Sequence, residues 1–183
     1  MNSIEDVTLR VIDALNTGGA AYMLVGSFST NFYGIPRSTK DADFVLQLEG
    51  DFAPVFYQAL GTGFELDSQM QFETITGTFK QQLRFAGSPF TVELFRLSND
   101  PFDQERFRRR VPVNLFGRQT FVPTAEDVAI MKVRWLREKD RSDLKNVLTV
   151  QRGKLDWPYI EKWCRAHGTL AKLEEIRRTV PEI

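Results

Sequence analysis

Apolar positions along this chain follow two alternating rhythms. In residues 3–17, Ile4, Val7, Val11, Ile12 and Leu15 recur at helical spacing and make one apolar face. Ser3 stands where a cap belongs, Asp6 follows three residues on, and Gly18-Gly19 closes the segment. Residues 21–25 predict a short buried strand, and Gly26-Ser27 turns the chain into a short helix over 27–33 that Gly34-Ile35-Pro36 breaks. Residues 41–48 switch to a period of two. Asp41, Asp43, Val45 and Gln47 alternate there with Ala42, Phe44, Leu46 and Leu48, which predicts a strand. Helical spacing returns in residues 51–60, with Asp51 as cap and Phe52, Val55, Phe56 and Leu60 facing inward.

Residues 64–97 read as strands. A hairpin is expected from 71–76 and 78–85 about Gly77, and the β-prone run 90–97 carries one charged residue at its centre, Glu93. The basic cluster Arg106, Arg108, Arg109 and Arg110 is expected on a solvated loop or strand edge, followed by a second hairpin from 111–116 and 119–122. Thr124 caps a helix with Asp127 at the boxed position, and Val128, Met131, Val133 or Trp135, and Leu136 supply its inner face. The seven-residue separation of Lys132 and Lys139 places both on one face of a continuous helix. Apolar spacing resumes at Leu144, Val147 and Leu148, and residues 157–180 read as two helices separated by Gly168. Strand, helix and strand followed by further strands imply an α/β (α+β) fold with a mixed sheet flanked by helices. The expected organisation is a core over 1–122 and a helical part over 123–183 packed on it.

Composition narrows the class. The chain has 183 residues, of which 42% are hydrophobic and 26% charged, as in a globular protein with a real core. No apolar run approaches the length of a membrane span, and the acidic first residues lack a signal-peptide core, so a cytoplasmic location is expected. A lone cysteine, Cys164, excludes an internal disulfide and suits a reducing compartment. A lone histidine, His167, argues against a His-based metal site or a His-dependent triad; both residues read as structural or surface positions. Net charge is zero but uneven. Residues 1–131 hold 11 basic and 16 acidic side chains, and residues 132–183 hold 13 basic and 8 acidic. A basic tail beside an acidic site suits a phosphate-bearing ligand or nucleic acid, although helical surfaces are often rich in Lys and Arg for no such reason.

The candidate chemistry centres on residues 25–45. On a strand, Asp41 and Asp43 point to the same side, and two carboxylates on one face repel unless a cation lies between them. A hard cation with oxygen ligands, often magnesium carrying a substrate phosphate, is the usual answer. Gly26 with the hydroxyls of Ser27 and Ser29 at a helix start forms a natural anion site. Arg37 could pair with a phosphate or brace Asp43. Glu93, a charge inside an apolar strand, requires either a metal or a salt bridge to Arg84 or Arg96.

Gly-Ser, a spacer of this length and then Asp-x-Asp between apolar residues resembles the signature of the polymerase-β-like nucleotidyltransferase superfamily. The resemblance implies a nucleotidyltransferase-like mixed sheet in which Gly26 and Ser27 open the helix that holds the nucleotide phosphates. It implies that Asp41 and Asp43 bind divalent metal, Mg2+ or Mn2+. Glu93 falls where the third catalytic carboxylate would fall, although Asp is usual there. Arg37 and Thr39 fit an Arg-x-Thr frequent before Asp-x-Asp. The run from Lys132 through Arg137 to Lys139-Asp140-Arg141-Ser142-Asp143-Leu144 is similar to the tail of bacterial AbiEii-like toxin nucleotidyltransferases. That likeness makes Lys132 and Lys139 candidate nucleotide contacts and Asp143 a site-bracing residue. The implied activity is transfer of a nucleoside monophosphate from an NTP to an acceptor hydroxyl. The implied acceptor is tRNA or protein, with a separate antitoxin as partner and no membrane. A small-molecule, antibiotic-type adenylyltransferase and a non-catalytic nucleotide-binding or partner-binding module of the same fold are the alternatives.

Overall fold

The computed structural model describes residues 3–47 and 52–180, the side chains of residues 52 and 53 excepted. Asp51 as a cap, Phe52 as an inward side chain and Leu48 as the end of its strand therefore lie outside the described residues. The element order is α1 (Ile4–Thr17), β1 (Ala21–Val25), α2 (Gly26–Tyr33), β2 (Asp41–Gln47), α3 (Phe52–Leu60), β3 (Phe64–Leu66), β4 (Gln71–Glu73), β5 (Thr78–Phe85) and β6 (Thr91–Arg96). It continues with α4 (Pro101–Arg108), β7 (Val111–Leu115), β8 (Arg118–Val122), α5 (Ala125–Trp135), α6 (Glu138–Val150), α7 (Trp157–Ala166) and α8 (Leu170–Arg177).

Six strands make one mixed sheet in the order β1-β2-β6-β5-β3, with β4 also pairing β5. β1 and β2 are antiparallel, β2 and β6 parallel, and β6 and β5 antiparallel. The period-two pattern divides β1 and β2 between two faces. Tyr22, Leu24, Ala42, Phe44 and Leu46 join the apolar faces of α1 and α3 in one core. Met23, Val25 and Val45 face the other side, against Phe107 of α4. The α1 start carries both halves of its capping box, Asp6 N donating to Ser3 Oγ and Ser3 N to Asp6 Oδ2. A second core gathers Phe102 of α4 with Ile130, Val133, Leu144, Leu148, Ile160, Cys164, Leu173 and Ile176 from α5 to α8.

Three expectations change. Residues 101–108 form a helix that takes Arg106 and Arg108 off the expected loop, while Arg109 and Arg110 stay on the connection to β7: Asp100 caps the helix, and Arg106 is buried in an ion pair with Asp103. The cap and the apolar anchors Phe102 and Phe107 outweigh the solvated look of the arginine run. Val55 of α3 is exposed, while Phe56 and Leu60 carry the packing. Lys132 and Lys139 do not share a helix, because the chain turns left-handed at Leu136 (φ 51°) and α6 starts anew after Arg137. Among the described residues, no helix is long and apolar enough to cross a membrane.

Candidate active site

The last residue of β1, Val25, pairs with Asp43 across the antiparallel ladder. The start of α2 is thereby delivered against the second carboxylate. Gly26 takes a positive φ of 62°, and a Cβ there would overlap Asp43 Oδ2, so only glycine lets the helix end approach so closely. Of the two serines expected to face an anion, Ser27 Oγ accepts a 3.0 Å hydrogen bond from Arg37, and Ser29 Oγ donates internally to Gly26 O at 3.0 Å. Backbone N–H groups of the first α2 turn remain the principal donors there.

β6 runs parallel to β2 and sets Glu93 directly opposite Asp43, with Thr91 opposite Asp41. Neither Arg84 nor Arg96 pairs with Glu93. Its Oε1 accepts from Lys80 Nζ at 2.7 Å and from Gln82 Nε2 at 3.2 Å, both on β5. The period of two explains this: Thr78, Lys80, Gln82 and Arg84 face the cavity, and Gln82 is the cross-strand partner of Glu93.

The three carboxylates have unequal surroundings. Burial pushes the Asp43 carboxyl up from 3.8 to about 6, the negative charges of Glu93 and Asp41 push the same way, and Lys139 and Lys132 oppose them. Asp43 thus has a deficit of positive charge. Asp41 is exposed at the cavity rim. Hard oxygen donors with unneutralised charge fit a divalent cation such as Mg2+. As they stand, no three His, Cys, Asp or Glu side chains among the described residues form a ready metal cage. Glu93, opposite Asp43, is held by the ion pair with Lys80.

An ionic chain centred on the buried Lys132, Asp140 and Asp143 borders the site. Arg37 is not turned to Asp43; it grips Asp143 with two bonds, Nε–Oδ1 at 2.7 Å and Nη2–Oδ2 at 2.9 Å. Asp143 also accepts from Lys132 Nζ at 2.7 Å, which reaches Asp140 at 3.0 Å. Arg137 in turn donates to Asp140, Nε–Oδ2 at 2.6 Å. Burial works against ionisation of Asp143, but Arg37 and Lys132 outweigh it and hold its carboxyl below the usual range. Asp140 behaves likewise through Arg137 and Lys132. Lys132 is thus consumed by two carboxylates, and Lys139 is the exposed lysine whose charge reaches Asp43.

A cavity of about 370 Å³ unites these parts, lined by Gly26, Ser27, Ser29, Asp41, Asp43, Glu93, Lys132 and Lys139, with Met131 and Trp135 of α5 on one wall. Arg37 and Asp143 stand behind it, as the support of Ser27. Sequence reasoning missed Lys80, Gln82 and Asp140. The alternation of β5 and the spacing from Arg137 to Asp140 were the available signals, and neither declares its partner.

No family model and no curated protein matches this chain. Solved structures do. The chain is similar to the antibiotic-resistance factor ANT(2'')-Ia, with 11% identity, a TM-score of 0.59, and coverage of 95% of this chain and 96% of that one. It is similar to an antigenic nucleotidyltransferase-like protein from Paracoccidioides brasiliensis, with 16% identity, a TM-score of 0.54, and coverage of 96% and 94%. A third is the lincosamide antibiotic adenylyltransferase LnuA, at 12% identity and a TM-score of 0.52, covering 82% of this chain and 99% of that one. The chain has the fold of the nucleotidyltransferases: a mixed sheet flanked by helices. Identities this low speak to architecture.

Proposed function

We propose that this protein is a metal-dependent nucleotidyltransferase that moves a nucleoside monophosphate from an NTP to an acceptor hydroxyl. The observation that carries the reading is the abutment of Asp43 on the glycine that opens α2, with Asp41 beside it and Glu93 opposite. Asp41, Asp43 and Glu93 Oε1 would hold the divalent cation, whose charge would offset that of the triphosphate. Backbone N–H groups at Gly26 and Ser27 and the ammonium of Lys139 hold the phosphates. The acceptor oxygen attacks the α-phosphorus, the bond from that phosphorus to the pyrophosphate oxygen breaks, and the acceptor proton passes to Glu93 Oε2. Arg37, Lys132, Asp140 and Asp143 act as support, tying α2 to α5 and α6. Positioning and charge neutralisation supply most of the acceleration in such transfers.

The charges of the cavity favour an anionic acceptor such as tRNA, or a protein, over an amine-rich small molecule. Its acids outside the Asp41–Asp43 pair are already engaged: Glu73 by Thr76, Asp103 by Arg106, Asp127 by Thr124 and Tyr159, and Asp140 by Lys132 and Arg137. Arg96 and Lys139 line the cavity and have no ion-pair partner among the described residues. The likeness of residues 132–144 to AbiEii-like toxins adds an antitoxin as the expected partner. The second reading, an antibiotic-type adenylyltransferase, draws its support from the likeness to the antibiotic-resistance factor ANT(2'')-Ia and the lincosamide adenylyltransferase LnuA.

Incubation with each labelled NTP, magnesium and separate pools of bacterial RNA, protein and small molecules tests both readings. Label in RNA or protein supports the first and label in the small-molecule pool the second. No transfer from any NTP, together with no nucleotide binding by calorimetry, would leave a non-catalytic module of the same fold.

A further inference from the structure

The structure assigns a role to Lys80 that follows from the place of its ammonium. We propose that Lys80 is a built-in counter-ion that holds Glu93 in the metal-free protein and must be displaced for a divalent cation to engage that carboxylate. The inference rests on the nucleotidyltransferase reading above, since that reading makes Glu93 the third acidic residue of the site.

Three observations carry it. Lys80 Nζ lies 2.7 Å from Glu93 Oε1, and both side chains are shielded, at 18% and 19% exposure. Gln82 Nε2 binds the same oxygen, so Oε1 is doubly occupied from one strand. The lysine is also guided from the other side: its ammonium stands 5.4 Å from the centre of the Phe95 ring, two residues beyond Glu93 on β6.

The physical consequence is competition. An ammonium and a divalent cation cannot share one carboxylate oxygen at contact distance in a shielded site without strong repulsion. With Lys80 in place, Oε1 of Glu93 is held and Asp43 keeps the unfavourable charge balance described above. Arrival of a cation would expel the ammonium from Glu93 towards the open cavity, where Arg84 and Arg96 also stand. Lys80 therefore acts as a positioning residue that weakens cation binding in the absence of nucleotide.

The test is a titration of Mn2+, read by electron paramagnetic resonance, into the full chain without nucleotide. Wild type, Lys80→Gln, Lys80→Arg and Glu93→Gln are compared, as is the Lys80→Gln/Glu93→Gln double variant, and circular dichroism checks each fold. Lys80→Gln keeps a donor for Glu93 but removes the charge, and should bind Mn2+ about tenfold more tightly than wild type. Lys80→Arg should bind as wild type does. On the Glu93→Gln background, removal of Lys80 should give less gain or none. Equal or weaker binding by Lys80→Gln overturns the proposal, as does an unchanged gain without Glu93. If Lys80→Gln fails to fold, a wild-type-like affinity in Lys80→Arg joined to a loss in Glu93→Gln supports the idea, and a tighter Lys80→Arg overturns it. Binding by wild type and Lys80→Gln alike removes the role of Lys80 and leaves the transferase reading standing. No binding by any of them, with or without NTP, removes both.

Discussion

Gly26 has no room for a side chain because Asp43 fills that space. A Cβ at Gly26 would overlap Asp43 Oδ2, and the backbone there is left-handed at φ 62°. One residue thus sets both the turn from β1 into α2 and the distance from the helix end to the carboxylate.

Substitution at this point tests that coupling. Gly26→Ala should destabilise the fold by about 1–3 kcal/mol, from a left-handed non-glycine residue and a displaced Asp43. Nucleotide binding should fall further than stability does. Thermal unfolding and calorimetric titration with NTP separate the two effects.

The raised carboxyl of Asp43 gives a pH signature with a definite sign. The native state binds this proton more tightly than the unfolded chain, so Asp43 costs the metal-free protein stability as pH rises from about 3.8 to about 6, and the cost persists above. Asp43→Asn removes it. The variant should match wild type near pH 3.5 and exceed it by about 3 kcal/mol at pH 7.5, in denaturant melts. Absence of that gap at neutral pH contradicts the charge deficit.

Divalent cation should repair the same deficit. Magnesium should raise the melting temperature of wild type at pH 7.5, and the gain should shrink below about pH 6, where a proton competes for Asp43. Asp41→Ala and Asp43→Ala should abolish both this gain and transfer from labelled NTPs while the circular dichroism of the fold is kept.

The ionic chain bordering the site predicts a different phenotype. Lys132→Met removes one of two cations from each of the buried Asp140 and Asp143, leaving them to Arg137 and Arg37, and should cost about 1–3 kcal/mol. Lys139→Met touches no buried partner. It should leave the melting temperature within a degree or two and weaken NTP binding several-fold, since its charge is exposed at the cavity. If both lysines behaved alike, their assignment to support and to contact would be wrong.

Much of this molecule is written locally. Helical spacing with Ser3 and Asp6 fixes α1, because cap and apolar face lie within one turn of each other. Period two fixes β2 and, with it, the common direction of Asp41 and Asp43. The sequence alone therefore determines that two carboxylates leave one strand together, with thirteen residues between them and a Gly-Ser turn. It does not determine what neutralises each charge. Arg37 finds Asp143 at a separation of 106 residues, and Lys80 reaches Glu93 across a strand pairing. Arg106 looked solvated but lies buried, paired with Asp103 on a helix that a cap and two phenylalanines anchor. Only the tertiary structure decides these, for a physical reason. Periodicity reports which way a side chain points. The partner of a charge depends on which distant segment the sheet order and the helix packing bring to the same few ångströms.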